Sequence, residues 1–159
     1  MIFAAILPAV TAIVMSFTRF ADAGIAVIPC SAATNDPSFM ISDFTGGISR
    51  YTGGESFAFY LNTTYNGYHS GCSGSIKKGA PDNGMQWCAT LIPGWNVSYV
   101  MTSDHEVLVN HEFQCSKADG SIVSAHAEGA TRLQVNSGAN GRLSMKPTSR
   151  TFPASVTIN

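Results

Sequence analysis

His126 and Glu128 stand two residues apart, so an extended backbone places both side chains on one side of a strand. An imidazole and a carboxylate so placed can exchange a proton, which makes this the chain's best local candidate for acid/base chemistry. Gly71-Cys72-Ser73-Gly74 has the outline of a nucleophile elbow, but that motif needs a glycine two places after the serine, and Ser75 stands there. Cys72 is also a candidate for a disulfide, which would remove its thiolate. His105, between Asp104 and Glu106, reads as the solvated tip of a hairpin, and His111 shares a face with Val109 and Phe113 as a core histidine would. No local motif selects a pair of carboxylates for glycoside hydrolysis. None of the four cysteines lies in a C-x-x-C pair and the four histidines are not at zinc-ligand spacing, so no metal and no cofactor is implied.

Aromatic side chains carry more information than the titratable ones. Tyr51, Tyr60, Tyr65, Tyr68 and Trp95 fall in or beside turns, or on the outward side of a strand. Exposed rings anchor binding surfaces, so these five form the candidate partner-binding set, with Tyr51 to Tyr68 as its densest part.

The elements that must position these residues are strands. Helical periodicity is absent after the first 23 residues, and short runs rich in aromatic and β-branched residues recur between Gly, Asn, Asp and Pro. Phe39–Phe44 is the first run, and Gly46-Gly47 and Gly53-Gly54 bracket a loop around Tyr51. In Ser56–Leu61, Phe57, Phe59 and Leu61 alternate with polar or small neighbours, the period of a half-buried strand. Runs follow near Cys72 and over Met85–Leu91, then Asn96–Met101, with Val97, Tyr99 and Met101 on one face. Val107–Cys115 alternates over its whole length, and Ile122–Ala127 and Thr131–Val135 complete the set. The pattern predicts an all-β domain over residues 24–135, a single antiparallel β-barrel or closely related sandwich. Residues 136–159, small and polar with Pro147 and Pro153, read as a loosely ordered tail.

Residues 2–17 are almost wholly apolar and Ala21-Asp22-Ala23 follows, which reads as a signal peptide cut between Ala23 and Gly24. The run of about 16 residues is short of the roughly 20 a membrane-spanning helix needs, so no membrane association is expected after cleavage. Without Arg19 and Asp22, the nine basic and ten acidic side chains become eight and nine. So few cations exclude a basic face for nucleic acid. Four cysteines in an exported chain imply bridges. Cys72–Cys88 is favoured because it closes a short loop, whereas Cys30 can pair with Cys115 or bridge to a second molecule, a possible homodimer. Asn62-Thr63-Thr64 and Asn96-Val97-Ser98 are acceptors for N-glycans, which puts Asn62 and Asn96 at the surface.

The order of these pieces resembles the Alternaria major-allergen family of secreted fungal β-barrel proteins. The resemblance rests on Cys30, the strand Phe39-x-Ile41-Ser42-x-Phe44, a Gly-rich stretch before Phe57-x-Phe59, the Cys72-Ser73 pair and Trp87 before Cys88. It covers about residues 30–115. The chain departs from the family in having Phe39 where the first strand often begins with Trp, and only Cys115 where the family has a late cysteine pair. The resemblance implies an extracellular effector-like or allergen-like protein that recognises a host defence protein without catalysis. It also implies a covalent dimer through the first cysteine. Two other classes compete with that expectation: a small secreted hydrolase using His126, Glu128 and His111, and a carbohydrate-binding module presenting Trp95 and Tyr68.

Overall fold

Alternation decides which face each strand buries, and the chain has enough alternating runs to build two sheets that cover one another. The computed structural model describes residues 27–90, 92–145 and 149–159, so the expected signal peptide and its cleavage site lie outside the described residues. The described residues begin with β1 (Ile28–Pro29) and a single helical turn α1 (Cys30–Ala33). There follow β2 (Ser38–Ile48), β3 (Glu55–Thr63), β4 (His69–Ile76), β5 (Gln86–Trp87), β6 (Asn96–Met101), β7 (Glu106–Ser116) and β8 (Ile122–Arg132). Four short strands complete it: β9 (Val135–Ser137), β10 (Arg142–Met145), β11 (Ser149–Pro153) and β12 (Ser155–Ile158).

One sheet runs β12-β8-β7-β6-β5, with β1 added in parallel beside β7. The other runs β4-β3-β2-β10-β9, with β11 beside another stretch of β2. All pairings but that of β1 are antiparallel. The two sheets face each other as a sandwich, the second of the two expected architectures, and do not close into a barrel. Two strand corners lace the open sides. At one, Ala154 separates β11, paired with β2, from β12, paired with β8. At the other, the residues after β5 bridge the sheets: Cys88 donates its N–H to the Val97 carbonyl (2.9 Å) and Ala89 donates to Gly71 (2.8 Å). Strands that switch sheets at a corner leave fewer unpaired edges.

Both disulfides are intrachain, Cys72–Cys88 and Cys30–Cys115. The first pins the corner after β5 to β4, and the second pins α1 to β7. Cys30 is therefore not free to bridge a second molecule in this state.

The interior is aromatic. Phe44, Phe57 and Phe59 stack in one half, with the Tyr99 ring 5.1 Å from Phe59 and edge-on to it. Phe39, Tyr65, Tyr68, Trp95, His111, Phe113 and Phe152 fill the other. Faces expected from alternation are the buried ones: Phe57, Phe59 and Leu61; Val97, Tyr99 and Met101; and Val107, Val109, His111, Phe113 and Cys115.

Three local readings are corrected. Residues 136–159 are not a loose tail among the described positions: they supply most of β9 and all of β10–β12, whose backbones complete both sheets, and Phe152 and Leu143 are core residues. Gly46-Gly47 is not the rim of a loop but the end of β2, where a Cβ on Gly46 would lie 2.5 Å from the Ser56 carbonyl. Ile122–Ala127 and Thr131–Val135 are not two separate strands: β8 runs unbroken through Glu128-Gly129-Ala130 to Arg132, and Val135 opens β9. A Cβ on Gly129 would lie 2.8 Å from the Phe39 ring and 2.9 Å from the Pro153 carbonyl, so glycine permits the corner to sit against β8.

Candidate functional site

The five expected partner-binding aromatics separate into two groups. Tyr51 stands fully exposed in the loop after β2, and Tyr60 points outward from β3, 44% exposed. Tyr65, Tyr68 and Trp95 are core residues, the latter two only 2% exposed, and the expected patch is corrected accordingly. The physical reason is the turn from β3 to β4. Gly67 takes a left-handed conformation (φ 67°), and the Tyr68 N–H is held by Asn66 Oδ1 and Thr63 Oγ1 at 3.0 Å each. This folds the turn back over the open end of the sandwich, where Tyr65, Tyr68 and Trp95 close around His111. The Tyr65 hydroxyl and His111 Nδ1 share a 2.7 Å hydrogen bond, and Tyr68 stacks on the imidazole at 5.1 Å. Burial, reinforced by His126 across the sheet, lowers the pKa of His111 to about 3, so the ring is neutral in the folded protein.

His126 and Glu128 do meet, Nε2 to Oε1 at 2.8 Å, on the outer face of β8. Glu128 is largely exposed there. His111 points to the opposite side of the same sheet, so the set required by the hydrolase alternative is divided by the sheet. Ser73 points outward beside Cys72, whose sulfur is bridged. His105 is not a solvated tip. Its left-handed backbone (φ 61°) turns the ring toward β3, where Nε2 lies 2.9 Å from Glu55 Oε2 and both side chains are mostly buried. It ties the β6–β7 hairpin to the opposite sheet. Among the described residues no group of three or more His, Cys, Asp or Glu side chains is placed to hold a metal ion.

The two sequon asparagines are half-exposed. Asn62 points outward from β3, with its Oδ1 hydrogen-bonded to His69 Nδ1, and Asn96 opens β6.

What sequence reasoning missed is the outer face of β5–β8. Cross-strand register aligns Trp87, Ser98, Asn110 and Glu128 in one row and Val100, Leu108 and Ala130 in the next. Met85 and Trp87 are 64% and 61% exposed, and Leu108 is also exposed. A groove of about 450 Å³ runs between Met85 and Leu108, lined also by Val100, Ala130 and Glu128. Glu112 and Glu128 stand on this face, and the guanidinium of Arg132 is engaged by Asp104. The face is thus apolar at its centre and acidic beside it. The available signal was the two-residue spacing of Met85 and Trp87, followed by Val100 and Leu108 out of phase with the buried faces of their strands.

No protein-family model, curated protein or solved structure matches the chain.

Proposed function

We propose that the protein acts outside the cell as a disulfide-braced binding protein of the effector-like or allergen-like kind, and that it recognises a host extracellular protein through the outer face of β5–β8. The observation that carries this reading is the exposure of Met85 and Leu108 along one groove, with Trp87 exposed beside it, opposite the groove residue Ser98. A contiguous apolar face on a small domain is costly to leave in water and is the usual mark of a protein–protein contact. Trp87 supplies the kind of large ring that dominates such contacts, and Glu112 and Glu128 favour a partner with basic side chains beside an apolar anchor. The two disulfides suit a protein that must persist in an oxidising environment. Within this reading no catalytic step is assigned to His126 and Glu128.

The test uses host extracellular fluid and immobilised protein with both bridges intact. Trp87→Ala and Leu108→Glu should each lose at least 10-fold in affinity for the retained host protein. Tyr51→Ala should keep it, and all three should melt within a few degrees of the parent. Retention that is indifferent to Trp87 and Leu108 would reject this face as the binding surface.

A further inference from the structure

We propose a second site, on the outer face of the other sheet, that takes one ring of a neutral or amino-sugar oligosaccharide. A depression of about 360 Å³ lies over β2–β4, walled by Tyr60, floored by Ala58 and Gly71, and edged by Asp43, Thr45 and Ser73. Its volume is at the small end of the range for small-molecule sites, so a single ring fits and its neighbours in the oligomer remain outside.

Three features make this more than a dent in a sheet. Tyr60 is held upright. His69 stacks on one of its faces (4.7 Å, 18° between planes) and is itself hydrogen-bonded through Nδ1 to Asn62, whose Nδ2 donates to Ser42 Oγ at 3.5 Å. The ring also lines the depression, where it presents a rigid aromatic wall at low entropic cost. Gly71, the cross-strand partner of Tyr60, leaves the floor open. A Cβ there would be in ordinary contact with the ring at 3.7 Å, so a larger side chain would occupy the space.

The third feature is Asp43. The register of β2 on β3 slips between Ser42 and Thr45, and Asp43 takes φ 51°. A left-handed non-glycine residue in a strand is strained, and bulges re-aim side chains beside functional sites. Here the bulge turns Phe44 into the core and leaves Asp43 exposed at the rim. Its carboxylate has no hydrogen-bond or ion-pair partner among the described residues.

These groups match the chemistry of a pyranose. Its C–H face is apolar and packs on an aromatic ring, while its hydroxyls need acceptors and donors around the edge. Asp43 supplies two acceptor oxygens, and Thr45 and Ser73 supply hydroxyls that both donate and accept. Among the described residues the only charge in the lining is the Asp43 carboxylate, which favours neutral or cationic rings and repels uronic acids. The site is open and shallow, so affinity should be weak, with Kd on the order of 1 mM.

The test is an NMR titration of the ¹⁵N-labelled, disulfide-intact chain, freed of N-glycans so that a sugar on Asn62 cannot fill the depression. The probes are chitotetraose, cellotetraose and trigalacturonic acid. Chitotetraose or cellotetraose should shift the amides of Thr45, Ala58, Gly71 and Ser73 saturably, and trigalacturonic acid should not. Tyr60→Leu, which keeps an apolar side chain opposite Gly71 but removes the ring, should weaken binding at least 10-fold. Asp43→Asn, which tolerates the left-handed backbone, should weaken it several-fold, and Ile122→Ala, exposed on the other sheet, should leave it unchanged. The proposal is overturned if neither neutral tetrasaccharide moves these amides, if Tyr60→Leu binds as the parent does, or if trigalacturonic acid binds equally well.

Discussion

His111 has the largest downward pKa shift among the described residues, and its consequence is acid sensitivity. The ring is neutral when folded because burial among Tyr65, Tyr68, Trp95 and Phe113 penalises the cation, whereas the unfolded chain protonates it near pH 6.5. Below that pH the unfolded state binds the additional proton, so the contribution is fully present above about 6.5 and is lost as pH falls toward about 3. Chemical denaturation across that window should show stability falling, by a few kcal/mol in total, and His111→Gln should flatten the slope. Tyr65 is the partner to test next. Burial pushes its phenol well above the usual range, and its hydroxyl shares a hydrogen bond with His111 Nδ1. Tyr65→Phe keeps the ring but orphans that nitrogen, and should cost about 1–3 kcal/mol in the same assay. Burial likewise raises Tyr99, to about 12, against the opposing pull of the Asn83 amide.

Corners and bridges, more than individual strands, make the sandwich cooperative. The turn at Ala154 transfers the chain from one sheet to the other, and it packs onto β8 only because Gly129 carries no side chain. Gly129→Ala should therefore destabilise by about 1–3 kcal/mol through overpacking against Phe39 and Phe152, read as a lower denaturant midpoint with little change of slope. The two bridges differ in reach. Cys72–Cys88 spans 16 residues and Cys30–Cys115 spans 85. In the chain-entropy model they restrain the unfolded chain by about 3 and about 4.5 kcal/mol respectively. The Cys30→Ser/Cys115→Ser double variant should accordingly melt below the Cys72→Ser/Cys88→Ser one; the reverse order would mean that the corner after β5 is the more important restraint.

At the scale of the whole molecule, two sheets with filled interior faces leave their outer faces to solvent, where both proposed sites lie. These differ in character: one is apolar and acidic around Trp87, the other a small polar depression beside Tyr60. Because both bridges are internal, the intact protein should run as a monomer mass without reductant, four hydrogens lighter than after reduction. A mass that is doubled and then halves on reduction would place Cys30 in an intermolecular bridge instead. The sequence alone determined what depends on neighbours in the chain. Alternation in β3, β6 and β7 names the buried faces correctly, since a period of two leaves no choice once one face is apolar. The Cys72–Cys88 pairing and the meeting of His126 with Glu128 were equally legible, the first from a short loop and the second from spacing. Tertiary structure alone decided the rest. Tyr65, Tyr68 and Trp95 are interior because the turn at Gly67 folds over an open end that no local pattern reveals. The short strands β9 to β12 form because two existing sheets offer them unpaired backbone, which compensates for their small, polar side chains. The face of Met85, Trp87 and Leu108 exists only once register brings together residues far apart in the chain, and register belongs to the sheet rather than to any one strand.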